Sequence, residues 1–483
     1  MTLPANYPVQ PEALWQRFYE ITQIPRPSAE EAAVRDHVIA LAEAHDCAWK
    51  TDNRGNLVVA VPGSQGREGE PPVIIQNHLD MVTVKTDDKQ HDFQQDPLTL
   101  QVEEDWLLAD RTTLGADNGI GCAAALALMT TEGLSHPPLE LLFTVEEESG
   151  LWGASDLDPG LLTGRRMLNL DSEDWPEFFV GCAGGRGWIM RKPLAREAGD
   201  DSCEHFTLRL RGLAGGHSGI QIHQQLGNAI KLLGHWLIGA RAQGARLVAF
   251  EGGIAHNVIP REASLTLQVP AGSGPALEAL NQEMLSRWQS YLPEADNGLT
   301  LELEAAEPGE VLTPPEQAAF EQLLQLFPHG AMSYNAQQPA DLVDLSINMA
   351  VVRVDRDGLF VETTLRYFNR EEAEGLAQQV MAIAEWQGMA VEQTIDYPGW
   401  QPDFDSELLA LGKGVYAELF GGEPEVKAIH AGLECGILKG KLGECDILSF
   451  GPTIRGAHSP RERLEISTVE PFWRLLTGIL ERL

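Results

Sequence analysis

Three short apolar runs in this chain each end in a carboxylate or a histidine, and that repetition narrows the fold more than any other feature. Pro72-Val-Ile-Ile-Gln-Asn delivers His78 and Asp80, Leu139-Glu-Leu-Leu-Phe-Thr-Val delivers Glu146, Glu147 and Glu148, and Arg166-Met-Leu-Asn-Leu delivers Asp171. Runs of this length, punctuated by breaks such as Pro137-Pro138, read as buried strands. Between the first two lies Leu114 to Met129, whose alanine-rich second half reads as a tightly packed helix. Asp117 sits at its start, where the helix dipole favours a negative side chain. Strands alternating with helices, with polar residues at the strand carboxyl ends, describe an open α/β sheet carrying a site on that edge.

On a solvated loop, Glu146-Glu147-Glu148 would carry no chemistry. Convergent with His78, Asp80, Asp117 and Asp171, the same carboxylates repel one another and call for a positive partner, one cation or two. With His458, which follows Gly-Pro-Thr-Ile-Arg-Gly-Ala, they form a nitrogen and oxygen donor set without sulfur, suited to zinc, manganese or cobalt. Two ions about 3.5–4 Å apart, bridged by a carboxylate, lower the pKa of a shared water and polarise a carbonyl. A remaining carboxylate can take the water's proton and pass it to a leaving nitrogen. His78 and Asp80 are two apart on a strand and share a face, so Asp80 is read as orienting the imidazole rather than chelating.

Charge and cysteine usage exclude other classes. The 483 residues carry 35 basic against 71 acidic side chains, a net charge of −36, which repels a phosphate backbone and argues against nucleic-acid binding. No run of 18 apolar residues suggests a membrane span, and no secretory signal is visible at the N-terminus. Six cysteines without CxxC spacing argue against a disulfide framework and fit a reducing cytoplasm.

Along the chain, Leu14, Phe18 and Ile21 share a helical face that Pro25 ends, and Ser28 with Glu31 reads as a capping box for a helix bearing Val34, Val38 and Leu41. The runs Cys47–Thr51 and Leu57–Val61 flank a turn at 52–56. Gly181–Gly187 matches no phosphate-loop spacing and reads as a turn or hinge. Beyond it, alternating strands such as 205–210 and 263–269 mix with helices, which suggests an inserted α+β domain. The expected division is 1–187 and 397–483 for the α/β domain, with 188–396 inserted. A helix from Pro471 to Leu483 closes the chain.

The ordered set Asn77-His-Leu-Asp80, Gly115-Ala-Asp-Asn-Gly119, Glu147-Glu-Ser-Gly150, Asn169-Leu-Asp171, Gly215-Gly-His-Ser-Gly219 and Gly456-Ala-His-Ser-Pro460 resembles the co-catalytic zinc peptidases of the M20 type. The likeness is strongest to their dipeptidase branch, and spans nearly the whole chain. It implies a two-zinc catalytic domain, its mostly parallel central sheet covered by helices on both faces, with the insert as a long lid. It implies His78 and Asp171 on one zinc, Glu148 and His458 on the other, Asp117 bridging the two and followed by a cis peptide to Asn118, Glu147 as general base and Asp80 supporting His78. Co2+ or Mn2+ would substitute. Glu146 stands where relatives often carry aspartate, without assigned chemistry.

In the insert, the resemblance implies that His217 polarises the scissile carbonyl or its oxyanion, and that Asn257 and Arg366 hold the substrate's carboxylate. A guanidinium can do this bidentately. Glu434, in His430-Ala-Gly-Leu-Glu-Cys-Gly436, matches a pocket-lining segment and would receive a free ammonium or serve as a structural carboxylate. The implied substrate is an unblocked dipeptide, Xaa-His among them. An aminoacylase or deacetylase acting on N-acyl amino acids would share the metal residues, and a non-catalytic metal- or peptide-binding protein would have no use for Glu147. The long lid leaves oligomeric state open, a homodimer included.

Overall fold

The computed structural model describes residues 3–4, 6–335 and 342–483; residues 1, 2 and 5 of the N-terminal stretch read for a signal lie outside that range. The chain divides into two compact units, Met1–Cys182 with Trp400–Ala428 and Leu433–Leu483, and Ala183–Gly399 with Ile429–Gly432.

The first unit is built on an eight-stranded sheet. Its strands run in the order Ala48–Thr51, Leu57–Val61, Leu139–Thr144, Val73–His78, Arg166–Asn169, Asp446–Ser449, Glu177–Cys182 and Glu425–Ile429. The four central strands pair in parallel. The apolar runs that carry the acidic residues are therefore neighbours, buried along their whole length in the two longest cases. Helices Glu12–Thr22, Ala116–Thr130, Glu407–Phe420 and Ile466–Arg482 bury their apolar stripes, with Leu14, Phe18 and Ile21 on one face as the spacing predicts. The first two strands form the expected hairpin, whose turn is closed by Asp52 Oδ1 accepting from the amides of Arg54, Gly55 and Asn56 at 3.0 Å. Gly55 supplies the φ of 106° that this turn requires.

Three local readings are corrected. Ser28 and Glu31 do not cap a helix: Ala32–Ala44 begins without a side-chain cap, and both residues turn toward the loops described below. Gly181–Gly187 is not a turn, because Gly184–Lys192 is a strand paired with Gly358–Tyr367. Its glycines make room for neighbours; a Cβ on Gly185 would stand 2.7 Å from the Tyr397 ring. The closing helix starts at Ile466, ahead of Pro471, because Val469 extends the stripe of Phe472 and Leu476, and Ser467 is anchored to Asp105 by its amide and hydroxyl.

In the second unit, eight strands form an antiparallel path: Thr300–Ala305, Cys203–Arg211, Ala263–Pro270, Arg246–Gly252, Val343–Asp355, Gly358–Tyr367, Gly184–Lys192 and Ala390–Tyr397. Gly330–Tyr334 adds a ninth, beside Val343–Asp355. Alternate residues such as Leu208, Leu210, Leu265 and Leu267 join Trp236, Leu237, Trp288 and Phe320 from the helices in one core. This is the strand period of two meeting the helical period on a shared apolar layer. Among the described residues no helix is long and apolar enough to cross a membrane.

Candidate active site

The carboxyl ends of the central strands in the first unit gather seven of the residues singled out in the sequence. His78 Nε2 lies 3.0 Å from Asp117 Oδ1 and 3.5 Å from Asp171 Oδ1. His458 Nε2 lies 3.1 Å from the other Asp117 oxygen and 3.1 Å from Glu148 Oε2. Asp117 thus faces a histidine with each of its two oxygens, and the Asp117–Asn118 peptide is cis. His78, Asp117 and Glu148 each offer an atom within 4.8 Å of the others, a spacing that can hold a metal ion. Asp80 Oδ1 is 3.4 Å from His78 Nδ1, the ring nitrogen turned away from Asp117.

The loops that carry these groups are held by buried polar side chains. Asp80 accepts from the amides of Glu147 at 3.0 Å and Glu148 at 3.1 Å, and from the Ser28 hydroxyl at 2.7 Å. Glu31 accepts from the Glu146 amide at 2.9 Å. Arg26, 1% exposed, donates to the carbonyls of Leu79, Asp80 and Gly115, tying the His78 loop to the start of the Asp117 helix. Glu462 accepts from the amides of Leu114, Gly115, Ala116 and Asp117 at 2.7–3.3 Å. Of these supports the sequence pointed only to Asp80, for its place beside His78. Arg26 stands between two prolines and Glu462 in an Arg-Glu-Arg run, contexts that usually mean solvent.

Charge in the cluster is unbalanced. Among the described residues no lysine or arginine forms an ion pair with Asp117, Glu147, Glu148 or Asp171. Desolvation, aided by the carboxylates of Asp171, Glu148 and Glu434, pushes Glu147 well above the ordinary glutamate value. Burial likewise raises Glu148 and Asp171. Asp117 goes the other way despite burial, because hydrogen bonds with His458 and His78 favour its charge. Those bonds to Asp117 and Glu148 raise His458 to about 11. Glu148 Oε1 is buried with no hydrogen-bond partner. A set of buried carboxylates faced only by imidazoles, with one oxygen left over, fits one or more divalent cations.

Glu434 belongs to the same unit and is fully buried. One oxygen accepts from Gln76 Nε2 and Thr144 Oγ1, each at 2.6 Å, while Oε1 has no partner. Burial raises its pKa to about 8.

His217, Asn257 and Arg366 lie in the second unit. His217 Nδ1 accepts from the amides of Gly219 and Ile220 at 3.1 Å, so the neutral ring carries its proton on Nε2. Desolvation, then the charge of Arg366, lowers its pKa to about 4. The carbonyl of Asn257 accepts from the Ser218 amide at 2.8 Å, placing that residue beside His217. Arg366 is buried on strand Gly358–Tyr367, and its Nη1 reaches Tyr397 Oη at 3.4 Å. Asp296 closes the loop around His217, accepting from the amides of Ala214 and Gly227.

The pattern described as Peptidase family M20/M25/M40 matches residues 74–482. The cytosol non-specific dipeptidase of Escherichia coli (strain K12) is 37% identical over 477 residues, 98% of either chain. The crystal structure of aminoacylhistidine dipeptidase from Vibrio alginolyticus superimposes with a TM-score of 0.90 at 36% identity, covering 98% of this chain and 97% of that one. Aminopeptidase PepT from Bacillus cereus, with a TM-score of 0.56 at 16% identity, shares the fold. The chain belongs to peptidase family M20/M25/M40. It is an enzyme that hydrolyses peptide bonds, in the dipeptidase group of that family.

Proposed function

We propose that this enzyme hydrolyses unblocked dipeptides, Xaa-His among them, in the cytoplasm, with two zinc ions and with Glu147 as general base. The observation that carries the reading is Asp117, which turns one oxygen to His78 and the other to His458, as a carboxylate shared by two cations would. His78 and Asp171 would hold one ion, Glu148 and His458 the other. Bound there, the ions would polarise the scissile carbonyl and lower the pKa of the attacking water.

The protein's own groups do the rest. Glu147, with its proton affinity raised by desolvation, takes a proton from the water and returns it to the leaving nitrogen. Asp80 keeps the His78 ring in place through Nδ1. Neutral His217 offers its Nε2–H to the developing oxyanion, and Asn257 and Arg366 hold the terminal carboxylate. Glu434, through its unpartnered Oε1, receives the substrate ammonium. The substrate class and location are supported by the relatives from Vibrio and E. coli named above.

Hydrolysis of Ala-His against N-acetyl-His tests this on zinc-loaded wild type and Glu147→Gln. Cleavage of the free dipeptide alone, abolished in the variant while two zinc ions stay bound, is the expected result. Preference for the acetylated compound would move the enzyme to the deacylases. No turnover of either with metal bound would leave a binding protein.

A further inference from the structure

Arg366 is a buried cation without an anion. It is 6% exposed, and no carboxylate among the described residues pairs with it. Its Nε has no hydrogen-bond partner, and Nη1 makes one long bond, at 3.4 Å, to Tyr397 Oη. A guanidinium has five N–H groups, and a buried one left unpaired is costly. An anion from outside the chain would satisfy it.

Tyr397 is fixed more tightly than its place at the end of a strand requires. A Cβ on Gly185 would stand 2.7 Å from its ring, and one on Gly432 2.8 Å, so two glycines make room for the ring where it packs. Its carbonyl accepts from Tyr367 Oη at 3.1 Å. Arginine has no acceptor, so Tyr397 Oη accepts the hydrogen bond from Arg366 Nη1, and its own O–H points elsewhere. That proton finds no acceptor among the described residues. The neighbouring His217 and His430 do not compete for an anion as cations, since desolvation holds them neutral, with pKa values lowered to about 4 and about 3.

We propose that Tyr397 is a specificity-determining residue, donating its phenol O–H to the same terminal carboxylate that pairs with Arg366. This rests on the reading of Arg366 given above. Two donors of different chemistry converging on one anion select a free carboxyl terminus over an amide, which cannot take both bonds as a charged acceptor.

The test compares zinc-loaded wild type, Tyr397→Phe, Arg366→Lys and the double variant on Ala-His and on Ala-histidinamide. Phenylalanine keeps the ring between the glycines and removes only the hydroxyl. The expected result is a KM for Ala-His raised by roughly 10-fold or more, as for a lost hydrogen bond to a charged group, with kcat changed far less. Turnover of the amide should hardly change, and the double variant should lose little beyond Arg366→Lys. An unchanged KM, or an equal loss on acid and amide, overturns the proposal. Calorimetric binding of Ala-His to both proteins separates this from the functional reading. Weaker binding to Tyr397→Phe without turnover by either would sink the hydrolytic role and keep Tyr397, whereas equal binding, or none to wild type, sinks Tyr397.

Discussion

Ser28 donates its hydroxyl to Asp80 Oδ2 at 2.7 Å, across 52 residues of sequence. Asp80 in turn accepts from the amides of Glu147 and Glu148 and lies against His78, so one serine braces the carboxylate on which three site residues depend. Ser28→Ala removes one charge-assisted bond and leaves the others, at a cost of about 1.5–3 kcal/mol. We expect a lower urea midpoint and a several-fold fall in kcat for Ala-His, with Ser28→Thr recovering most of both. Equal unfolding curves for wild type and Ser28→Ala would contradict it.

The same pair shows where sequence reasoning stops. Ser28 and Glu31 have capping-box spacing, but hydrogen-bond partners in this fold are set by chain crossings that spacing does not encode. Pro27 bridges Met81, which carries the segment past the Asp80 loop, and the helix starts only at Ala32. The strands bearing His78 and Glu147 were legible because burial on both faces leaves near-continuous apolar runs. His458 and Asp117, 341 residues apart, were named from motifs, yet only the fold puts them 3.1 Å from each other. Arg26 and Glu462 serve main-chain atoms 53 and 348 residues away, and a side chain bonding to backbone leaves no complementary residue to find. Gly181–Gly187 reads as a turn or hinge because glycine supplies both turns and close approach, and only the packed Tyr397 ring tells which.

Glu462 is the second brace to test. Its carboxylate accepts from four consecutive amides leading into Asp117. Glu462→Gln keeps the shape but turns an NH2 group toward two of those donors, costing about 1–3 kcal/mol for each amide left unpaired. The variant should unfold at lower urea and hold less zinc after dialysis against a weak chelator. Full zinc retention together with an unchanged urea midpoint would sink the role assigned to it.

Removing divalent metal should abolish activity and also loosen the first unit. Glu147, Glu148, Asp171 and Asp117 then face one another with only imidazoles between them. EDTA-treated protein should regain hydrolysis with Zn2+, Co2+ or Mn2+. The metal should also raise the thermal midpoint, as free ligand at about 1,000 times its Kd stabilises by about 4 kcal/mol. A midpoint indifferent to metal would mean that the carboxylates bind none.

Acid should weaken the second unit through histidines that fold neutral. His217 and His329 each accept amide hydrogen bonds at Nδ1, from Gly219 and Ile220 in one case and from Met349 in the other. A proton there would face an N–H. Desolvation, with Arg366 beside His217 and Lys231 beside His329, lowers their pKa values to about 4 and about 3. An unfolded histidine titrates near 6.5, so between about pH 6.5 and those folded values the unfolded chain binds the extra protons. Stability is therefore full above about pH 6.5 and falls as pH drops toward 4 and then 3, by at most about 1.4 kcal/mol per pH unit for each group. Glu147, Glu148 and Asp171 of the first unit, whose values burial raises, push in the opposite direction, so the comparison is made within one pair. His329→Gln, whose amide oxygen can still accept from Met349, should lose less stability than wild type between pH 7 and pH 4.5 in urea unfolding with EDTA present. Parallel losses in the two proteins would show that His329 does not fold neutral.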